Sequence, residues 1–370
     1  MNPGRAAAGV VLVQTGTSGA DHERHMHQHL AGCLADVLGL PFLGIRQSAR
    51  LDEPRLYQVP DATLIAPQPA IASELDLFGA VVSHPFMAAK AISHPLVEPD
   101  AAAPTGWSEA FMQQAGDSVL PGYSAFTPAD ALQAGERLLE RGPVRIKQVR
   151  ARAGLGQQLV RNREQLQYGI ARLDPVELTQ HGVVLERHLA EVRTFSVGQL
   201  HVGDWLISYF GQQRLTTGNR GETVYGGSDL HLVRGDYLEL ARQIDSPVAR
   251  MAIDKTRAYE QAAETCFPGF IASRRNCDVA VGIVDTDQTC MGVLEQSWRI
   301  GGASSAEIHA LQAFADDPGL EHIRASSWEL YGVSPPIPQH GRILYEGDDP
   351  QVGPITKGVT LSPWQPLPNI

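Results

Sequence analysis

Short apolar runs alternate along the chain with polar, glycine-bearing turns. Val10-Val11-Leu12-Val13 reads as a buried strand that enters the turn Gln14 to Gly19 and then a helix from Asp21 to Leu38. Ala62 to Ala66 and Leu77 to Val82 are predicted as further strands, and Phe86 to Ile92 as a short helix carrying one isolated cation, Lys90. The small, Pro/Gly-rich stretch Ala101 to Gly106 is the best candidate for a linker. Beyond it, Ala129, Leu132 and Leu138-Leu139 are spaced for one apolar face of a helix from Pro128 to Arg141, with Thr127 as its N-cap. Strands are predicted from Pro143 to Val149, up to Val160, from Val183 to Glu191, and at Val192 to Leu200 and Trp205 to Phe210. A helix from about Val248 to Thr265 presents Ile253, Thr256, Tyr259, Ala263 and Cys266 at spacings of three to four, the face that packs on a sheet.

One stretch carries unusual chemistry for a strand. In Val293 to Gly302, period-two alternation projects Glu295, Ser297 and Arg299 from a single face. Upstream, Asp278 to Val284 is another apolar run, and Asp285 to Gln288 reads as the hairpin turn between them. With the turn centred between Thr286 and Asp287, Asp278 falls opposite Glu295. Facing carboxylates repel, so the pair makes most sense with a cation between them, and Mg²⁺ is the expected ion because it takes carboxylate and phosphate oxygens.

Other polar groups are less decisive. Arg145, Lys147 and Val149 share a strand face, and the glycines Gly154 and Gly156 that follow fit either a phosphate-covering flap or an ordinary basic hairpin. The third glycine of a dinucleotide fingerprint is missing, and no Gly-Lys-Ser/Thr phosphate loop is present. Glu186, Arg187, His188 and Leu189 end a strand, where exposed backbone groups suit a purine edge or simply meet solvent. Arg214 to Ser228 reads as a long polar loop with Arg214 and Arg220, a length that suggests function. His22, His25 and His29 share one helical face; polar residues on a solvated helix is the favoured reading over a transition-metal site, since no acid or Cys completes the set. The segment Ser334 to Pro338 and the last residues read as a closing arm.

Composition narrows the partners. With 43% hydrophobic and 19% charged residues the chain has ample apolar material for two or three packed units across 370 residues. A net charge of −11 argues against wholesale binding to nucleic acid or anionic membrane and favours a small molecule. Cys33, Cys266, Cys277 and Cys290 lack paired spacing, which fits a reducing cytoplasm, and no segment is long enough to cross a bilayer.

Taken in order, a strand Lys with a glycine loop, a Glu-bearing hinge, a late Asp strand and Glu-Gln-Ser-Trp-Arg resemble the ATP-grasp superfamily of carboxylate-amine ligases, over roughly residues 86 to 302. The whole chain is also similar to an uncharacterised bacterial family of that type. The resemblance implies an α/β chain with an ATP-grasp fold. Its parts would be a pre-grasp α/β domain at 1–95, a small lobe with the flap at 96–182, a large lobe with the metal hairpin at 183–335 and an arm at 336–370.

The resemblance also implies roles. Lys90 and Lys147 would contact ATP phosphates, Gly154 and Gly156 would sit in the flap, and in the hinge Glu186 to Leu189, Arg187 to Leu189 would hold adenine through backbone atoms. Asp278, Glu295 and Ser297 would ligate Mg²⁺, with Arg299 stabilising the transferring phosphoryl group. Two positions depart from the family pattern. Ser297 stands where an Asn ligand is usual, and Thr194 where an acid usually holds the ribose, with Glu191 near enough to substitute. The implied activity is an ATP-dependent ligase joining a small carboxylate to an amine, with Arg214, Arg220, Arg274 and Arg275 as substrate contacts and a homodimer as the common assembly. A nucleotide-binding protein that lost turnover, and a kinase acting on a hydroxyl, are the alternatives.

Overall fold

The first apolar runs build a small parallel sheet. In the computed structural model, which describes residues 7–16, 20–48, 54–149, 156–284 and 288–367, β1 (Val10–Val13) is wholly buried. Helix α1 (Asp21–Leu38) has the bounds its sequence predicts, and Gly39 stops it by adopting a left-handed φ of 64° that turns its N–H back to the Ala35 and Asp36 carbonyls. β2 (Phe42–Arg46) and β3 (Tyr57–Pro60) then pair in parallel on either side of β1.

Next come two short strands, β4 (Leu64–Ile65) and β5 (Ala80–Val82). The segment expected as one helix, Phe86 to Ile92, is instead two 3-10 turns, Pro85–Ala88 and Lys90–Ser93, broken at the extended Ala89. The physical reason is a contact distant in sequence. The Met87 and Ala89 carbonyls, which a continuous helix would bond to N–H groups four residues on, accept hydrogen bonds from the Gln296 side chain, both at 2.9 Å. Helix α2 (Glu109–Ala115) leads from here into the next unit.

That unit is a four-stranded antiparallel sheet backed by helices. Its parts are β6 (Gly122–Ala125), α3 (Pro128–Leu139), β7 (Val144–Gln148), β8 (Gln157–Val160), α4 (Arg163–Ala171), α5 (Pro175–His181) and β9 (Val183–Arg187), with strand order β6-β9-β7-β8. Thr127 caps α3 as expected, its hydroxyl accepting from Asp130 N at 3.1 Å. Ala131, Ala134 and Leu138 of α3 pack with Leu166 and Ile170 of α4 on Val144, Ile146 and Leu185, leaving the other sheet face for Arg145, Lys147 and Glu186.

The largest sheet has eight strands, all antiparallel. Along the chain it is built from β10 (Ala190–Val202), β11 (Trp205–Thr217) and β12 (Thr223–Arg234), followed by α6 (Tyr237–Arg242), α7 (Pro247–Cys266) and β13 (Ile271–Ala272), which pairs with β5. It is completed by β14 (Arg274–Val284), β15 (Gln288–Gln296), α8 (Ser304–Asp316), β16 (His322–Tyr331), β17 (Arg342–Asp349) and β18 (Gly353–Ser362), in the order β15-β14-β10-β11-β12-β16-β18-β17.

Two expectations change here. Arg214 to Ser228 is no long loop but the paired ends of β11 and β12, and the segment expected as an arm supplies β17 and β18. The β11 and β12 ends and β17 carry polar residues on both faces and so lack the alternation that marks a half-buried strand, whereas β18 buries Ile355 and Val359 on one face.

The two faces of this sheet have different covers. Phe195, Val197, Phe210, Cys277 and Val279 lie under α7, where Ile253, Tyr259 and Ala263 are buried. Leu200, Val202, Ile207, Leu230 and Leu232 on the opposite face lie under α1 and α8. Further along the same strands that face turns polar, through Thr194, Ser196, Gln213, Ser228 and Asp278. Tyr209 marks the border, its hydroxyl reaching Asn276 Oδ1 at 2.9 Å and Glu307 Oε1 at 2.6 Å across Gly198. A Cβ on Gly198 would lie 2.3 Å from both that hydroxyl and the Arg275 carbonyl oxygen. Gly198→Ala is therefore expected to cost about 1–3 kcal/mol by overpacking, read as a lowered urea midpoint; an unchanged midpoint would mean that the sheet yields there freely.

Candidate active site

Alternation along β15 runs on through Ile300. Glu295, Ser297 and Arg299 reach one side while Gln296, Trp298 and Ile300 are buried on the other. Asp278 faces Glu295 across the hairpin, as expected, but the ladder that brings it there is different. Val284 pairs with Gln288 and Val279 with Val293, a register that taken further would set Asp278 against Leu294. Leu294 is instead the extra residue of a bulge, and the bulge returns Glu295 to the Asp278 side. Leu294 packs beside Leu189 and Val284 in a small apolar cluster.

The two acids are held differently. Asp278 Oδ1 accepts from Gln213 Nε2 at 2.7 Å and from Asn276 Nδ2 at 3.2 Å. Burial, reinforced by the Glu295 charge, raises its pKa from 3.8 to about 6 against the pull of those bonds. Glu295 keeps 35% of its side chain exposed and pairs with Lys90 Nζ at 2.9 Å. Lys90, read on its own as a surface residue, is buried because its 3-10 turn is clamped to β15 by Gln296, whose Oε1 accepts from Tyr259 at 3.1 Å.

A second charged group lies on the smaller sheet. Lys147 and Glu186, both buried, form an ion pair, and His94 Nε2 reaches the other Glu186 oxygen at 3.3 Å. Burial opposes a charge on Glu186, but Lys147 and then His94 outweigh it and bring the carboxyl down to about 2. Gly122 leaves the room for this contact: a Cβ there would come within 3.0 Å of both His94 Cε1 and Glu186 Cβ. Arg145 Nη2 lies 3.1 Å from His188 Nδ1, while Arg187 turns away to donate to the Arg141 carbonyl at 2.6 Å. Leu189 is buried against Ala280 and Val284, which ties the end of this strand to the hairpin.

The remaining sequence candidates divide. Glu191 is exposed and adopts a positive φ of 50°, a strained state for a non-glycine residue, next to the half-buried Thr194. Gly156 has a left-handed φ of 65°, and Gly154 falls outside the described residues. Arg299 donates to the Ile300 carbonyl at 2.6 Å and lies near His27 of α1. Arg274 and Arg275 do not join this group as substrate contacts. Arg274 is 1% exposed, bidentate on Glu307, and its Nη1 holds the Ser297 and Arg299 carbonyls at 2.6 Å each, so it positions that loop from beneath. Arg275 lies on the α7 side, paired with Glu264. Arg214 is engaged by Asp229 at 2.9 Å and the Ser327 carbonyl at 2.8 Å, and Arg220 sits at a hairpin tip on the Gln351 carbonyl.

A family model described as "Protein of unknown function (DUF3182)" matches residues 10–359. The chain belongs to this family. No curated protein matches its sequence. Among solved structures it is similar to carboxyaminoimidazole ribonucleotide synthase from Aspergillus clavatus complexed with ATP, with a TM-score of 0.50 and 12% identity over 96% of this chain and 94% of that one. It is likewise similar to biotin carboxylase from Campylobacter jejuni in a β,γ-ATP complex, with a TM-score of 0.51 and 13% identity over 96% and 87% of the two chains. These likenesses establish the fold, and for this family member it is the mixed α/β ATP-grasp fold. Among the described residues no helix is long and apolar enough to cross a membrane.

Several side chains at the site carry little or no signal in the sequence. Gln296 left a signal, an amide at an inward position of an apolar strand, and such a group must find partners when buried. Gln213 and Asn276 lie on strands whose polar ends had been read as loop or left unread. His94 and His27 are brought in by tertiary packing alone. Burial pushes His27 down to about 4 against the pull of Glu23, with Arg299 pushing the same way as burial.

The raised Asp278 pKa has a sign for stability. An acid whose folded value exceeds its unfolded one takes up a proton on folding, so its contribution falls as pH rises from about 4 to about 6 and stays low above. Asp278→Asn keeps an acceptor for Gln213 and Asn276 and removes the repulsion from Glu295. The metal-free variant is expected to have a higher urea midpoint than the parent at pH 8 and a similar one at pH 4; equal midpoints at pH 8 would contradict this electrostatic account.

Proposed function

We propose that the protein is an ATP-dependent ligase that activates a small-molecule carboxylate by phosphoryl transfer and joins it to an amine or other nucleophile. The observation that carries this reading is the bulged hairpin that sets Asp278 against Glu295 with the buried Lys90 at Glu295. Two facing carboxylates with a nearby hydroxyl, Ser297, are a hard-oxygen donor set of the kind Mg²⁺ takes, and burial with the Glu295 charge raises the Asp278 pKa, a repulsion that a cation would relieve. Bound there, Mg²⁺ would neutralise charge on the nucleotide phosphates.

The chain's own residues supply the rest. Lys90 and Lys147 are each held by a carboxylate, Glu295 and Glu186, which positions the ammonium groups for phosphate oxygens. Arg299, with its carbonyl fixed by Arg274, stabilises charge on the transferring phosphoryl group. Backbone groups from Glu186 to Leu189 take the adenine edge, Glu191 the ribose, and Gly154 and Gly156 let the flap approach the phosphates. The carboxylate substrate binds on the Arg299 side, where α1 brings His27 close. The similar carboxyaminoimidazole ribonucleotide synthase complexed with ATP and biotin carboxylase in its β,γ-ATP complex support nucleotide binding in this fold.

Ser297 and Thr194 favour a second reading, in which nucleotide binding is retained and turnover is weak. ADP release from Mg-ATP across a panel of carboxylates with amine acceptors separates the two, since robust turnover rejects the binding-only reading. The site itself is tested by titration calorimetry with ATP, with and without Mg²⁺, before and after Glu295→Ala. The variant is expected to lose Mg²⁺-dependent affinity by at least ~10-fold, while metal-free ATP binds no more weakly because Lys90 is released. Unchanged Mg²⁺ dependence would reject the assignment.

A further inference from the structure

Away from the hairpin, α1 and α8 meet where the N-terminal sheet adjoins the large one, and three side chains with metal-ligating atoms converge there. Donor atoms of His29, Cys33 and His309 all lie within 4.8 Å of one another. His29 and Cys33, one helical turn apart on α1, bring Nε2 and Sγ to 3.6 Å. The His29 and His309 rings stack with centroids 5.7 Å apart. Zn–N bonds of about 2.0–2.1 Å and a Zn–S bond of about 2.3 Å set tetrahedral donor atoms roughly 3.4–3.6 Å apart, so small side-chain rotations close the set.

His309 gives the independent sign of a missing partner. Its Nδ1 lies 2.8 Å from the Ser305 carbonyl, and a carbonyl only accepts, so Nδ1 carries the proton and Nε2 presents a lone pair. That Nε2 is buried without a hydrogen-bond partner among the described residues, on a side chain only 3% exposed. A ring nitrogen fixed by a carbonyl on one side and bare on the other is how metal-binding histidines are oriented. Burial lowers the pKa of both imidazoles, His309 to about 4, so both offer neutral nitrogens. Burial raises the Cys33 thiol, which Arg342 partly offsets, so an ion must displace its proton. Of the neighbouring charges, Arg342, exposed at the start of β17, opposes a dication and Asp36 of α1 favours one.

We propose that His29, Cys33 and His309 bind one Zn²⁺-class ion, His309 through Nε2 and with water as the fourth ligand, clipping α1 to α8. One sulfur and two imidazole nitrogens suit Zn²⁺ and its spectroscopic substitute Co²⁺ far better than Mg²⁺. This site is separate from the Asp278–Glu295 pair, and of the helical face His22, His25 and His29 it takes only His29.

Cobalt titration of the reduced, chelator-treated full chain tests it. One equivalent of Co²⁺ is expected to give a thiolate-to-metal charge-transfer band and tetrahedral d–d bands, both abolished by Zn²⁺. Cys33→Ala should remove the charge-transfer band, and His309→Gln should weaken binding by at least ~10-fold. His25→Gln, exposed on α1, should leave the spectrum unchanged. No charge-transfer band in the parent protein, or an undiminished one in folded Cys33→Ala, overturns the proposal; the parent spectrum decides even if a variant fails to fold.

Discussion

Residues 87–94 are strung between the two antiparallel sheets, and the geometry of the candidate site depends on how they are tied. At one end the Gln296 amide donates to the Met87 and Ala89 carbonyls, which stops a helix and turns Lys90 onto Glu295. In the middle Ser124 of β6 donates to the Ala91 carbonyl, and its own N–H donates to the Pro95 carbonyl at 2.8 Å. At the other end His94 reaches Glu186, which also holds Lys147. A short stretch of irregular backbone thus carries one cation to the large sheet and one imidazole to the small one, and every tie is a hydrogen bond to a buried group that would be costly to leave unpaired.

The charges follow from that arrangement. Lys90 and Lys147 are buried, a state that ammonium groups tolerate only beside a counter-charge, and each has one carboxylate. Asp278 differs, held by neutral amides and facing a second acid, and burial with that acid raises its pKa to about 6. An acid under repulsion beside paired cations is poor design for a static core and sensible design for a site that receives a cation.

How far the chain could be read without coordinates depended on the kind of signal. Helix α1 is legible in the sequence because an apolar strand, a glycine-bearing turn and a helical stretch follow in order. The Asp278–Glu295 pairing was also reached, although through a uniform ladder where the molecule uses a bulge; a bulge leaves no mark in residue type when the extra residue, Leu294, is apolar like its neighbours. Lys90 looked solitary because its partner lies some two hundred residues downstream. The arginines misled in the opposite sense: Arg274 and Arg275 are adjacent in sequence, but a strand sends them to opposite faces, one to Glu307 and one to Glu264. β17, polar on both faces, offers no period, and His309 comes to His29 only through the packing of α8 on α1.

The central claim is that the hairpin acids, with Lys90 at their side, form the metal and phosphate end of a nucleotide site. A crystal structure of the protein grown with Mn²⁺ and a non-hydrolysable ATP analogue tests it most directly, because anomalous scattering locates the metal independently of the fit. The account predicts a metal peak within bonding distance of both Asp278 and Glu295, with Lys90 moved from Glu295 to a phosphate oxygen. A nucleotide bound elsewhere, or one bound between the sheets with the Lys90–Glu295 pair intact and no metal at Asp278, would contradict it.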